Sequence, residues 1–260
     1  MFNPCGALIT NSDVRLRRTG LFAYRAPPDS LEAKLVGGAQ FYRQIFCGLY
    51  LENLDIIGMK KDFNIIISGV GGQGLITLLK ILAEAAIAEG FDVKTSELHG
   101  LSQRGGSVGV HLRFGKKIFS PLVSREKADL ILVLEKNETL KNCYFASRKK
   151  TIFLINNFQI DSASFRGLKL PEDKEILKIL KKFSQKAIFI EASKICKEKI
   201  GKEILAGIFM LGFAVYHKFL PLKPESVLKA IKKIIPKEYL KINEKAFQLA
   251  KFPPGSKLKN

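Results

Sequence analysis

The stretch Phe63-Asn-Ile-Ile-Ile-Ser-Gly-Val-Gly-Gly-Gln-Gly74 decides the fold. Its first six residues are mainly apolar and β-branched, which is typical of a buried parallel strand. The glycines predict a tight turn, and residues 75–88 place apolar side chains on one helical face. Gly90 predicts the end of this helix, and residues 92–97 predict a second strand. Strand, glycine loop, helix and strand together indicate a βαβ unit.

The following sequence extends this unit into an α/β domain. Ser107 to Phe114 alternates between apolar and polar residues, and Gly115 turns the chain toward Ile118-Phe119, which predicts an inserted antiparallel hairpin. We therefore expect a doubly wound, mostly parallel sheet with an inserted β-hairpin and a helical C-terminal segment. The other predicted strands are residues 129–135, 151–155 and 187–191, and the other predicted helices are residues 139–146, 172 onward, 203–219, 224–235 and 237–251.

The glycine loop has the spacing G-x-G-x-x-G in Gly69, Gly71 and Gly74. Such a loop lets the backbone approach a phosphate, and the next helix presents free N–H groups to it. Glu97 lies near the end of the second predicted strand, where a ribose partner is expected. On these residues alone, a free-standing nicotinamide- or flavin-dependent dehydrogenase remains an open alternative.

A second polar loop follows, Glu97-Leu-His-Gly-Leu-Ser-Gln-Arg-Gly-Gly-Ser107. It begins where the second strand ends, which is where α/β sheets bind ligands. Its glycines indicate a backbone that approaches another group closely. Arg104 is the candidate for contact with a phosphate or carboxylate, and His99 is more typical of a loop hydrogen bond than of acid–base chemistry.

Together, the two loops resemble the paired signatures of the gamma-type domain of pyruvate/ketoisovalerate:ferredoxin oxidoreductases. Within that family, the chain looks most like the beta subunit of indolepyruvate:ferredoxin oxidoreductases. The C-terminal stretches Met210-Leu-Gly212 and Asn243-Glu-Lys-Ala-Phe247 are similar to the closing helices of the family. The resemblance covers about residues 61–252, and residues 1–58 have no counterpart in it.

The resemblance implies a Rossmann-like subunit that is inactive alone, with no catalytic residue and no metal of its own. Thiamine diphosphate and iron–sulfur clusters are expected on a partner alpha subunit in a hetero-oligomer. The whole enzyme would oxidise an arylpyruvate such as indolepyruvate to an acyl-CoA and reduce ferredoxin, with coenzyme A as co-substrate. Glu97 and His99 would support the loop or the partner. The candidates for contact with coenzyme A or with the partner's active site are Gly69, Gly71, Gly72, Gln73, Gly74, Ser102, Gln103, Arg104, Gly105 and Gly106.

Composition restricts the other classes of function. The net charge is +19, but the lysines are spread along predicted helices, which is typical of solvated faces, so we expect no nucleic-acid partner. The longest uncharged apolar run, residues 204–216, is too short for a bilayer, and no signal peptide is apparent, so we expect a cytoplasmic protein. Cys5, Cys47, Cys143 and Cys196 are too far apart for a metal-binding pattern, so we interpret them as free thiols.

The use of basic residues changes sharply near Met59. Residues 1–58 hold five arginines and one lysine, whereas residues 59–260 hold five arginines and 32 lysines. The first segment also lacks periodicity and contains the turn-forming pairs Pro27-Pro28 and Gly37-Gly38. We therefore expect residues 59–260 to be the functional domain, and residues 1–58 to be an extension that is either poorly ordered or not native.

Overall fold

The chain folds around a six-stranded sheet, and the computed structural model describes residues 62–100, 105–160 and 171–252 of it. The strand order is β2-β3-β1-β4-β5-β6. Strands β1, β4, β5 and β6 are parallel neighbours, whereas β3 is antiparallel to both β1 and β2. The mostly parallel sheet is thereby confirmed. Its strands are β1 (Phe63–Val70), β2 (Asp92–His99), β3 (Ser107–Gly115), β4 (Leu130–Val133), β5 (Ile152–Asn156) and β6 (Lys186–Ile190).

Six α-helices lie in the described ranges, and the C-terminal segment is helical as expected. Three short 3₁₀ helices cover Lys136–Glu138, Leu140–Phe145 and Glu203–Leu205. No helix in the described ranges combines the length and the apolar character that crossing a bilayer requires. The α-helices are α1 (Leu75–Ala88), α2 (Asp173–Phe183), α3 (Ala192–Ile200), α4 (Ala206–Tyr216), α5 (Pro224–Ile234) and α6 (Lys237–Leu249).

Both faces of the sheet are covered, because successive residues of a strand point to opposite sides. Ile65 and Ile67 of β1 pack into the larger core with α1 and α3 to α6. Ile66, between them in sequence, packs into a second core with α2 and the 3₁₀ helix Leu140–Phe145. Burial on both faces explains why β1, β4 and β5 are continuous apolar runs.

Helix α1 begins and ends at glycines. Gly74 has φ +78 at its N-cap, and Gly90 has φ +80 just after its last turn. The N–H of Phe91 donates to the carbonyl of Ala86 at 3.1 Å across that second glycine. This closure satisfies carbonyls that the helix leaves open, so the predicted stop at Gly90 is confirmed.

The predicted hairpin has a different partner from the one that the sequence suggested. Strand β3 pairs with β2, from Asp92 opposite Gly115 to His99 opposite Val108, and residues 118–119 form no strand. Both edges of β3 are already occupied by β1 and β2, so no edge is left for a further strand. Instead, the N–H of Ile118 donates to the Asp92 carboxylate at 2.8 Å.

The helix predicted for residues 139–146 is a 3₁₀ helix, Leu140–Phe145. The side-chain amide of Asn142 donates to the carbonyl of Glu138 at 2.8 Å, and its backbone N–H donates to Thr139 at 3.2 Å. The side chain thus occupies the acceptor that an α-helix would use, and the backbone tightens by one residue. The helix predicted for residues 203–219 likewise begins with a 3₁₀ turn, Glu203–Leu205, before α4.

Helices α4 and α6 approach each other closely at Gly212. A Cβ atom on Gly212 would lie 2.5 Å from the carbonyl oxygen of Phe247 and 3.0 Å from the Cβ of Ala250. Every residue from Ala206 to Val215 is buried, so α4 is the centre of the helical layer. The two C-terminal motifs noted in the sequence are therefore in direct contact.

His111 fastens the segment after β3 to the second face of the sheet. Its side chain is only 2% exposed, and the N–H of Val123 donates to its Nδ1 at 3.0 Å. The ring meets Phe145 edge-on at 5.0 Å. Burial lowers the pKa of His111, so the folded protein favours the neutral imidazole that accepts this hydrogen bond.

Replacing Gly212 with alanine should destabilise the fold, because the added methyl group meets backbone that cannot move freely. We expect the free energy of unfolding to fall by about 1–3 kcal/mol, measured by chemical denaturation. Gly109→Ala is the control, since nothing lies within 4 Å of its Cβ position, and it should change stability by less than about 0.5 kcal/mol. Stabilisation by Gly212→Ala, as helix propensity alone would give, contradicts the close packing of α4 on α6.

Replacing His111 with asparagine should make the free energy of unfolding fall less steeply as the pH is lowered. The unfolded chain protonates this imidazole below its ordinary pKa of about 6.5, and the folded chain resists protonation. Stability from neutral His111 is therefore present above that pH and is lost as the pH falls below it. Denaturation curves between about pH 7 and pH 5 should show a shallower slope for the variant. Some dependence should remain, because burial also lowers the pKa of His217; an unchanged slope contradicts the role of His111.

Candidate functional site

The glycine loop forms a tight turn between β1 and α1. The N–H of Gln73 donates to the carbonyl of Val70 at 3.2 Å. Gly72 and Gly74 have φ values of +102 and +78, which side-chain-bearing residues rarely adopt. No side chain caps the start of α1, so N–H groups of its first turn remain open to an acceptor. The tight turn that the sequence predicts is therefore present, and the open N–H groups beside it are able to donate to an anion.

Gln73 folds back over the loop instead of pointing outward. Its Oε1 accepts the N–H of Val70 at 2.9 Å, and its Nε2 donates to the carbonyl of Leu134 at 3.4 Å. A Cβ atom on Gly69 would lie 2.5 Å from the same Oε1, which explains why a glycine stands there. The side-chain amide of Gln73 thus ties the end of β1 to the end of β4, and its backbone is what remains for a ligand.

The two loops singled out in the sequence meet at the carboxyl end of β1. The N–H of Gly71 donates to the carbonyl of Gly106 at 2.9 Å, and the N–H of Gly105 donates to the carbonyl of Gly71 at 3.5 Å. Gly105 has φ +70, so the second loop turns here through a conformation that favours glycine. Of the predicted residues, Gly71, Gly105 and Gly106 are joined directly.

The remaining residues of the second loop divide into two groups. Ser102, Gln103 and Arg104 lie outside the described residues, and His99 is the last residue of β2. Glu97 is exposed and lies opposite Val110 within the strand, not at its end.

Glu97 is not placed for a ribose contact at the glycine loop. Strand β3 separates β2 from β1, so Glu97 lies two strand spacings, about 10 Å, from the strand that carries the loop. In the dinucleotide-binding pattern, the acidic residue ends a strand beside the loop strand. This arrangement argues against the dehydrogenase alternative.

The sequence analysis missed a buried polar cluster that follows β4. Glu138 is 2% exposed, and its carboxylate accepts the hydroxyl of Ser107 at 2.5 Å and the ammonium of Lys141 at 2.7 Å. Because β4 is the parallel neighbour of β1, the carboxyl ends of both strands lie at the same edge of the sheet, where the two loops meet. A search of the residues following each predicted parallel strand would have found Glu138.

Glu135, which follows β4, stabilises the backbone of this cluster. Its side chain is 1% exposed and accepts the N–H of Glu138 at 3.2 Å, the amide of Asn137 at 3.0 Å and the N–H of Ile160 at 3.2 Å. Burial raises the pKa of the Glu135 carboxyl, although these donors act in the opposite direction. These contacts stabilise the turn after β4, so the role of Glu135 is structural.

A cavity of about 270 Å³ opens beside the glycine loop, between the start of α1 and the C-terminal helices. Its wall is mainly apolar, and Asn243, which is 6% exposed, contributes a polar group from α6. The first turn of α1 faces this space. Its lining includes Gly72, Gly74, Thr77, Lys202, Ile204 and Tyr239.

The described residues contain no group of three or more histidine, cysteine or acidic side chains arranged to hold a metal ion. Cys143 and Cys196 are free. Burial raises the pKa of both thiols, that of Cys196 to about 12, so both stay protonated at neutral pH. The interpretation of these two cysteines as free thiols is confirmed.

Comparison with known proteins gives consistent matches. The model of the family described as pyruvate ferredoxin/flavodoxin oxidoreductase matches residues 64–251. Subunit IorB of indolepyruvate oxidoreductase from Archaeoglobus fulgidus is 35% identical over 72% of this chain and 92% of its own length. The same subunit from Pyrococcus horikoshii is 33% identical over 73% and 94%. Among solved structures, the gamma subunit of a keto/oxoacid ferredoxin oxidoreductase from Geobacter sulfurreducens has a TM-score of 0.54 and 25% identity, covering 74% of this chain and 95% of that one.

Replacing Gln73 with alanine should weaken the fold around the glycine loop. The change removes the acceptor of the Val70 N–H and the link to Leu134, so we expect the free energy of unfolding to fall by about 1–3 kcal/mol. Chemical denaturation measures this loss. Gln248→Ala on the exposed side of α6 is the control and should be nearly neutral. Equal stability of the Gln73 and Gln248 variants would show that Gln73 does not support the loop.

Proposed function

Because the chain belongs to the pyruvate ferredoxin/flavodoxin oxidoreductase family, we propose that it is the subunit of a 2-oxoacid:ferredoxin oxidoreductase that does not bind thiamine. The two relatives described above, both subunits of indolepyruvate oxidoreductases, support arylpyruvates as the substrates. In this proposal the enzyme is a cytoplasmic hetero-oligomer. Its alpha subunit carries thiamine diphosphate and the iron–sulfur clusters, and it passes electrons to ferredoxin.

The observation that carries the proposal is the junction of the two motif loops. Gly71 and Gly106 join the glycine loop to the second loop at one end of β1. Gly71 and Gly106 are 35 residues apart in the sequence, and their hydrogen bond brings the two loops together at one end of the sheet. The open N–H groups at the start of α1, which follows the glycine loop, suit the phosphates of coenzyme A better than they suit chemical catalysis.

The reaction needs a carrier for the acyl group as well as an electron acceptor. Oxidative decarboxylation releases carbon dioxide from the 2-oxoacid, transfers two electrons to two ferredoxins, joins the acyl group to the sulfur of coenzyme A and releases the thiol proton. Thiamine diphosphate on the partner supplies the carbanion chemistry at the former keto carbon. This chain binds and orients coenzyme A, with the start of α1 and Arg104 as its contacts with anionic groups.

We also propose a boundary for the functional domain near Met59. Residues 59–260 are the functional unit in this proposal, and residues 1–58 lie outside it. The family model and the sharp change in the use of basic residues both support this boundary.

Co-expression with the candidate alpha subunit tests the proposal. We expect anaerobic, coenzyme A-dependent reduction of ferredoxin by indolepyruvate or phenylpyruvate when both chains are present, and no reduction by this chain alone. Arg104→Ala should raise the KM for coenzyme A about tenfold or more, because a charge-assisted contact with an anion is lost. The exposed residue Arg148 provides the control, and Arg148→Ala should behave like the unmodified protein.

Two outcomes decide against the proposal. If the chains never associate and this chain alone binds a dinucleotide, the glycine loop belongs to a dehydrogenase. If a chain begun at Met59 loses an activity that the full chain supports, the proposed boundary is wrong.

A further inference from the structure

We propose that Glu138 is a positioning residue for coenzyme A binding. Its buried carboxylate holds Ser107 and, through Ser107, the Gly105–Gly106 end of the second loop against the glycine loop. This inference rests on the proposed function, because the ligand whose affinity Glu138 would control is coenzyme A. Glu138 acts through the loop and needs no contact with the ligand.

The contact between Glu138 and Ser107 crosses from one loop to another. The Ser107 hydroxyl donates to Glu138 at 2.5 Å, and the Lys141 ammonium donates to the other carboxylate oxygen at 2.7 Å. Lys141 balances the charge of a side chain that is only 2% exposed. Hydrogen bonds to a charged acceptor are about twice as strong as neutral ones, so this contact is able to hold a loop.

Glu138 is itself held rigidly from its own side. Its backbone N–H donates to the carbonyl of Glu135 at 3.0 Å and lies 3.2 Å from the carboxylate of the same residue. Its carbonyl accepts the side-chain amide of Asn142 at 2.8 Å. The turn is continuous with β4, and the N–H of Leu134 donates to Ser68 of β1 at 2.8 Å. Glu138 is therefore fixed to the sheet through the turn that follows β4.

Ser107 transmits this anchoring to the motif. It is the first residue of β3 and pairs with Val70, the last residue of β1. The residue before it, Gly106, accepts the N–H of Gly71. Ser107 is exposed, yet its hydroxyl is bound by a buried partner. Removing that hydroxyl should leave the fold intact and free the end of the second loop.

The test uses the assembled enzyme with unmodified or variant chains. Ser107→Ala should raise the KM for coenzyme A about three- to tenfold, because one charge-assisted hydrogen bond is lost. The kcat and the KM for the 2-oxoacid should stay within about twofold, since the reacting groups are on the partner. Ser107→Thr keeps the hydroxyl and should restore the KM. Glu138→Ala should match Ser107→Ala, and the double variant should add nothing further.

Glu84→Gln is the matched control, because it removes a carboxylate that pairs with Lys233 of α5 at 2.6 Å, ten residues along α1 from the glycine loop. It should leave every kinetic constant unchanged. A wild-type KM for coenzyme A in Ser107→Ala overturns the inference, as does an equal rise in the KM of both substrates. Glu138 is buried and its alanine variant risks misfolding, so Ser107→Ala decides.

Amide hydrogen exchange in the full chain separates this inference from the proposed function. The Gly71 amide, which donates to Gly106, should exchange several-fold faster in Ser107→Ala than in the unmodified chain, with or without a partner subunit. Unchanged exchange overturns the positioning role. If exchange accelerates but the assembled enzyme has no coenzyme A-dependent activity, the loop contact stands and the proposed function fails.

Discussion

Antiparallel pairing between β1 and β3 is the constraint on which the rest of the site depends. Eight residue pairs, from Phe63 opposite Phe114 to Val70 opposite Ser107, set the register. Because the strands run in opposite directions, the end of β1 and the start of β3 lie side by side, and so do the loops attached to them. A shift of register would separate Gly71 from Gly106 and would turn each buried face of β3 toward the wrong side. The site is therefore a consequence of sheet register more than of loop sequence.

Local sequence signals were sufficient for most of the fold. The run before Gly69, the apolar face of residues 75–88 and the stop at Gly90 predicted β1 and α1 correctly. The predicted starts of the last two helices, residues 224 and 237, are also correct, since Pro224 begins α5 and Pro236 precedes α6. The errors came where strand pairing or a side-chain hydrogen bond decided the outcome against the local pattern. The partner of β3 depended on which sheet edge was free, and the 3₁₀ helix after β4 depended on a side chain occupying a backbone acceptor.

The candidate site was predictable to a similar degree. The glycine spacing in the two loops identified Gly71, Gly105 and Gly106, because each loop carries its own conformational signal. Glu138 has no conformational signal of its own; its position after a predicted parallel strand marks it, but its partner Ser107 is 31 residues away in the chain. Glu97 was predicted for the opposite reason, as a match to a spacing rule that assumes β2 lies beside β1. The inserted strand removes that assumption.

The burial of α4 has a consequence for how the protein is made. Its Gly207 packs on Leu78 of α1, and its Gly212 packs on Phe247 of α6. The apolar face of α1 is therefore buried only by helices that are synthesised much later. At about 5–20 residues per second, roughly ten to thirty seconds separate α1 from α6 on the ribosome. During that interval the nascent chain exposes apolar surface that only the finished C-terminus covers. The core around α1 is therefore completed only late in synthesis, and until then its exposed apolar surface is of the kind that chaperones bind.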